Sequence, residues 1–343
     1  MRVSASRATG RRRSTWALTL RVALSVCALL SGVEGLSAQE RPRANQEGAL
    51  FLLLPVGAQA IGLARAVTAL ESSEAAFWNP AGLASVPRSQ VLLYHGNHLT
   101  GDATGFSALG VRLGVGTVGL SYSLLDESGI DVTDDQGTVV GSIAVRGHQG
   151  LLSAARSVTT WLSAGLSAKV VSSGVTCRGQ CPEGTGQAAT WAVDGGLQVR
   201  PLSDRPLVIG VMVAHVGRRL REGNSDEADP LPSRLRLGAS YRITRQLLEE
   251  EFGVRVLAEF EDHLRNPGRP QLFLASELTA GGTDQLFVRG GFIFADRRNQ
   301  TDAAAIGFGL RYERLELGIA RSLARGGPTL EQEPVHLTLG LAF

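Results

Sequence analysis

Histidine and cysteine are the side chains of this 343-residue sequence best suited to metal or nucleophilic chemistry, and the chain holds six and three of them. His95 and His98 in YHGNH are three apart. In an extended segment they fall on opposite faces, a poor geometry for sharing a metal. Serine, histidine and acid side chains are scattered and close into no rim constellation of the kind that outer-membrane barrel enzymes use. No enzyme activity, metal or cofactor is therefore expected. Cys177 and Cys181 frame CRGQC. In an exported chain that pairing reads as a disulfide pinning a loop tip; a metal site would need further ligands nearby, and none are present. The remaining chemistry is ionic. Lys169, Asp194, Arg200, Arg234, Arg236, Arg242, Arg255, Glu259, Glu277 and Arg289 all sit on the polar side of segments that alternate apolar with polar.

Those segments must position the charges, and they repeat along most of the chain. VHLTLGLAF puts Val335, Leu337, Leu339, Leu341 and Phe343 on one face and His336, Thr338, Gly340 and Ala342 on the other. Period two means a strand with one apolar face. RLRLGASYRIT, FGVRVLAEFE, WAVDGGLQVR, VGLSYSLL and LELGIARSL follow the same rule. About fourteen such segments begin near Gln90, Gly105, Thr117, Ile143, Trp161, Ala188, Leu207, Arg234, Gly253, Gln271, Leu286, Ala303, Leu315 and Val335. Each approaches the ~9–11 residues that a tilted strand needs to cross a bilayer. The connections alternate too. Those near 114–116, 159–160, 201–206, 245–251, 281–284 and 313–314 are short. Those at 98–104, 126–142, 173–187, 218–232, 262–270, 295–302 and 325–334 are mostly longer and more polar. Short turns on one side and long loops on the other are the mark of an outer-membrane barrel, and a soluble sandwich gives no reason for that parity. The fold class expected is all-β, an antiparallel transmembrane barrel of about fourteen strands. The charges then face the lumen, either as a solvated interior paired across strands or as an arginine patch that meets an anionic headgroup.

Composition agrees. Apolar residues make up 43 % and charged residues 19 %, too apolar for disorder, and 42 glycines suit many strands and tight turns. Almost every basic residue is arginine; Lys169 is the one lysine. Residues 1–38 read as a secretory signal: Arg11, Arg12 and Arg13, then an apolar run from Val22 to Leu30, then small residues ending at Ala38. The run is too short to span a bilayer. Six of the 34 basic residues and one of the 32 acidic ones lie in that segment, which leaves 28 against 31, a net charge of −3. A near-neutral mature chain excludes a basic nucleic-acid-binding face.

Between the signal and the first strand lies a compact segment, residues 39–87, expected to be a plug or hatch for the barrel at 88–343. Its end, AAFWNPAGLA, sets Phe77 and Trp78 against an Asn79-Pro80 step. Proline pushes Asn79 out of the helical region and can open a new turn, so a helical turn, a corner and a second short turn are expected. GLARAVTALESSEAAFWNPAGLA closely resembles the N-terminal signature of the PorV/PorQ proteins, within the broader FadL-like outer-membrane family. The matching residues are Arg65 with its small neighbours, Glu71, Glu74, Phe77, Trp78, Asn79, Pro80 and Gly82. The family's Gly-rich stretch and Asp residues are replaced here by Val67 to Leu70 and Glu. The resemblance implies a bacterial outer-membrane barrel with an N-terminal plug, and a terminal Phe343 read by the barrel-assembly machinery. It implies a non-enzymatic role, handling secreted cargo with components of a type IX-like secretion system. The FadL-like alternative is passive transport of hydrophobic small molecules such as long-chain fatty acids. Membrane lipid is the other expected partner, and no nucleic acid.

Overall fold

The computed structural model describes residues 47–98, 101–112, 116–180, 186–202, 206–221, 228–247, 250–294, 303–324 and 335–343. The strands are β1 (Gln90–His98), β2 (Gly101–Arg112), β3 (Gly116–Thr133), β4 (Val139–Ser157), β5 (Leu162–Gly179), β6 (Gly186–Val199), β7 (Leu207–Gly217), β8 (Leu220–Arg221), β9 (Ala228–Asp229), β10 (Arg234–Leu247), β11 (Glu250–His263), β12 (Gln271–Ala280), β13 (Gln285–Phe294), β14 (Ala303–Tyr312), β15 (Leu315–Ala324) and β16 (Val335–Ala342). Fourteen of them form one closed antiparallel barrel, and β8 pairs only with β9. Each barrel strand bonds its sequence neighbour, with β7 passing directly to β10. The last strand closes on the first, Gln90 opposite Ala342 and Leu93 opposite Leu339. Closure removes every sheet edge at membrane depth, where an unpaired backbone group has no water to bond. No helix among the described residues is long and apolar enough to cross a membrane.

The period-two pattern explains the two faces. Leu152, Leu166, Val170, Leu286, Leu317, Leu337 and Leu339 point outward and are exposed. Phe106, Tyr122, Trp191, Phe292 and Phe294 lie toward the long-loop ends of their strands, and Trp161, Tyr241, Phe252, Tyr312 and Phe343 toward the short turns. Aromatic side chains at both edges of an apolar band fit the two membrane interfaces.

Two of the expected long loops are something else. Much of 126–142 and of 173–187 continues as paired strand: Ile130 faces Ile143, and Cys177 faces Ile143 on the other side. Residues such as Ile130, Val132 and Val139 keep β propensity past the membrane band, so the hairpins run on beyond it. The first outer connection is also shorter than expected, since β2 begins at Gly101. The 218–232 connection contains the β8–β9 ribbon, whose Leu220 is buried with Leu231 against Ala49 and Leu52.

The lumen is filled by the chain's own N-terminal segment. A 3-10 turn at Leu50–Leu53, a helical turn at Ala58–Gly62, and 3-10 turns at Ser73–Ala76 and Pro80–Ser85 are joined by irregular backbone. The corner falls at Asn79, which is extended and caps the Pro80 turn through Oδ1 accepting from the Ala81 amide at 3.1 Å. Four clusters of buried apolar side chains join this plug to the wall; one gathers Leu63, Val67, Leu70 and Trp78 with Leu257 and Phe273 of the strands.

The plug comes this close because the wall is notched with glycine. A Cβ added at Gly210 would strike the Thr68 carbonyl, at Gly165 the Pro80–Ala81 backbone, and at Gly196 the Asn79 side chain. Overpacking of this kind costs ~1–3 kcal/mol. Gly210→Val is expected to leave the barrel assembled and to speed proteolytic cleavage within residues 47–87 of the detergent-solubilised protein. Gly150→Val, where an added Cβ meets open space, should cleave like the wild type.

Candidate functional site

The surface where plug meets wall carries most of the residues that the sequence singles out. Its centre is three residues of irregular backbone, Thr68 to Leu70, fully enclosed. Glu259 on β11 accepts from the Thr68 amide and from the Thr68 hydroxyl, both at 2.8 Å. Asn79 Nδ2 donates to the Thr68 carbonyl at 2.7 Å. Gln198 on β6 donates to the Leu70 carbonyl at 2.8 Å and to Thr68 at 3.2 Å, and Ser240 on β10 donates to the Ala69 carbonyl at 3.3 Å. Each orphan group of the plug backbone thus finds a side chain on a different strand.

The inward charges divide into groups. In the first, Arg65 of the plug bonds Glu261 at 3.4 Å, and Arg236 pairs with Glu261 and lies 3.7 Å from Glu259. Arg234 holds Glu47 of the plug with two bonds of 2.9 and 2.8 Å. Arg236 also stacks its guanidinium 4.8 Å from the Trp78 ring centre, and Arg65 sits 5.3 Å from that of Phe273. In the second, Glu277 receives Arg289 at 2.8 Å and Arg255 at 3.3 Å. In the third, Lys169 meets Asp194 at 2.6 Å with His215 beside it at 3.0 Å. His215 has φ 57° and donates its amide to Asp194 Oδ1 at 2.8 Å, next to a register shift between β6 and β7. Toward the short-turn side, Arg200 pairs with Glu71, and Arg242 lies 3.9 Å from Glu251. Removing one partner of a buried pair strands a charge, which is why such clusters fix the plug in one position.

The signature residues have separate places. Glu74 is buried and accepts from the Ala60 amide at 2.9 Å, the Gln59 amide at 3.1 Å and the Thr338 hydroxyl at 3.3 Å. Burial pushes its carboxyl up to about 7, against the lowering by the Ala60 and Gln59 amides and by Arg289. Trp78 donates Nε1 to the Val56 carbonyl at 2.9 Å. Gly82 lies so close to the Leu70 carbonyl that a Cβ would clash. Phe77 and Trp78, with Leu52, Leu54 and Val56, face Met212, Ala214, His215, Gln149 and Arg236 across a crevice of about 20 Å³, room for one water. The pairing of β7 with β10 stops at Ala214, beside this crevice.

Other predicted residues lie apart. His95 faces outward on β1. Cys177 near the tip of β5 is disulfide-bonded, and its expected partner Cys181 lies outside the described residues. Phe343 is exposed, its amide donating to the Ser89 carbonyl at 2.8 Å. Residues 1–38 are also outside the described residues. Among those described, no group of three or more His, Cys, Asp or Glu converges as a metal site. Sequence reasoning missed Gln198, Thr338, Ser240 and Glu261 as plug contacts, and Tyr94 with His336, whose rings stack 6.1 Å apart. All six sit on inward positions of alternating strands, the one signal that could have found them.

No protein-family model and no curated protein matches the sequence. Solved structures do match. The CymD monoaromatic hydrocarbon channel aligns with TM-score 0.55 and 12 % identity over 84 % of this chain and 97 % of its own. The TodX deltaS2S3 mutant monoaromatic hydrocarbon channel gives 0.53 and 12 % over 83 % and 96 %. The P. putida toluene transporter TodX gives 0.50 and 12 % over 82 % and 98 %. The fold is that of FadL-family channels. At this identity the likeness concerns architecture, a plugged outer-membrane barrel.

The raised Glu74 carboxyl has a consequence for pH. The folded protein holds this proton more tightly than the unfolded chain, so the contribution is complete below about pH 4.5 and is lost as pH rises through about 7. Thermal midpoints of wild type and Glu74→Gln in detergent should therefore diverge across that window, the wild type losing ground as pH rises. A difference independent of pH would show that Glu74 does not titrate there.

Proposed function

We propose that this protein is a FadL-type outer-membrane channel that passes hydrophobic small molecules. The observation that carries the reading is the seal. Among the described residues the lumen is occupied by the plug, and the crevice between plug and wall is lined largely by Leu52, Leu54, Val56, Phe77, Trp78 and Met212. Such a surface rewards an apolar solute with ~25 cal/mol per Å² of buried area and offers little to an ion or sugar. At about 20 Å³ the crevice is closed to a hydrocarbon as it stands, so passage requires Phe77 and Trp78 to part from Met212 and Ala214. The backbone there is suited to yielding, with β7 released from β10 after Ala214 and His215 held in a left-handed conformation. The shared architecture with hydrocarbon channels supports the same reading. The cargo-handling role implied by the PorV/PorQ resemblance has no comparable support.

Uptake by cells that lack their own hydrophobic channel tests this. Expression of the protein is expected to raise entry of radiolabelled toluene or of a radiolabelled long-chain fatty acid above the empty vector. Met212→Gln, which sets an amide in the crevice, should lower that entry by about tenfold. Entry of both compounds at the vector level, with the barrel correctly assembled, would contradict the proposal.

A further inference from the structure

The outer wall carries a second apolar feature, unconnected with the crevice. On the inner side of β14–β16 the side chains are very small: Gly307, Gly309, Gly318, Ala320 and Gly340. These strands press directly on the helical turn at Ala58–Gly62. A Cβ at Gly307 would lie 2.9 Å from the Gly62 Cα, and one at Gly318 would lie 3.1 Å from the Ala58 Cβ. On the outer side of the same strands, and reaching β13 and β1, is a groove of about 610 Å³. Its lining is Leu93, Phe308, Leu317, Ile319, Leu337 and Leu339, with His95 at the upper rim. The volume falls within the range of small-molecule sites, and the groove lies within the lipid-facing band.

The rim is charged. Ile319, Leu337 and His95 share one register row, and Arg321 pairs with Val335 one step further toward the long-loop side. Arg321 and His95 both point outward and are exposed. Arg321 stands two residues below Leu323, which shares a row with Ala304 and the interfacial Phe292. An arginine at that depth reaches the headgroup layer along its own aliphatic stem.

We propose that this groove is a binding site for an anionic membrane lipid. One acyl chain lies along Leu93, Leu337, Ile319 and Phe308, the phosphate pairs with Arg321, and His95 hydrogen-bonds the headgroup. The occupant follows from position and charge: the groove opens onto hydrocarbon, and its one charged rim is cationic on the side of the interface. The site is independent of what the channel carries.

Phe308→Trp places an indole in the groove as a reporter. Its fluorescence is read in vesicles of brominated phosphatidylglycerol mixed with phosphatidylcholine, and in the converse mixture. The signal of the protein without this substitution, from Trp78, Trp161 and Trp191, is subtracted. Phosphatidylglycerol should be preferred at the reporter by about fivefold, the effect of one cation near the surface. Arg321→Gln should abolish the preference and Arg321→Lys retain it, each variant being checked for the heat-modifiable gel mobility of a folded barrel. Equal quenching by the two lipids with Arg321 in place would overturn the proposal. So would a preference that survives Arg321→Gln, or one equally strong at Trp161 and Trp191.

Discussion

Irregular backbone at membrane depth is tolerated only where protein supplies every hydrogen bond that water would otherwise make. Residues Thr68 to Leu70 meet that condition inside a ring of strands, and the rest of the structure is arranged around it. Glu259, Gln198, Ser240 and Asn79 converge on three consecutive peptide units from three strands and from the plug itself. An unsatisfied buried group of this kind costs ~1–3 kcal/mol. The segment therefore has one position in the barrel rather than a range of them. The glycine notches at 165, 196 and 210 follow from the same demand, because side chains there would hold the plug away from its partners.

The ion pairs belong to this arrangement and do not form an open charged pore. Arg65 and Glu47 reach from the plug to Glu261 and Arg234 on the wall, and Arg236 ties Trp78 to Glu259 and Glu261. Each charge is balanced close by, so the interior presents no uncompensated field to a passing ion. What differs along the seal is the crevice at Phe77 and Trp78. There apolar side chains of plug and wall meet, and the strand pairing beside them is interrupted. A hydrophobic solute finds its most favourable contacts where the wall is least continuous.

Much of this was legible in the sequence. The period-two pattern located the strands within a few residues, placed Lys169, Asp194, Arg234, Glu259 and Arg289 on the inner face, and left Leu337 and Leu339 facing lipid. The Asn79-Pro80 corner was readable from proline's geometry. What alternation could not give was partnership. Glu259 and Thr68 are separated by 191 residues and Gln198 and Leu70 by 128, and nothing local encodes either contact. The hairpin extensions past 126 and 173 were hidden because their polar content reads as loop while the backbone still pairs. The FWNPAGL signature pointed to a plugged barrel but not to its cargo, since the same corner serves any plug that must turn into the first strand.

The central claim is that plug and wall form one packed body that closes the lumen. Ion conductance of the intact protein in a planar lipid bilayer tests it directly. The account predicts current indistinguishable from that of the bare membrane at moderate voltage. A steady ohmic conductance through the intact barrel would contradict it.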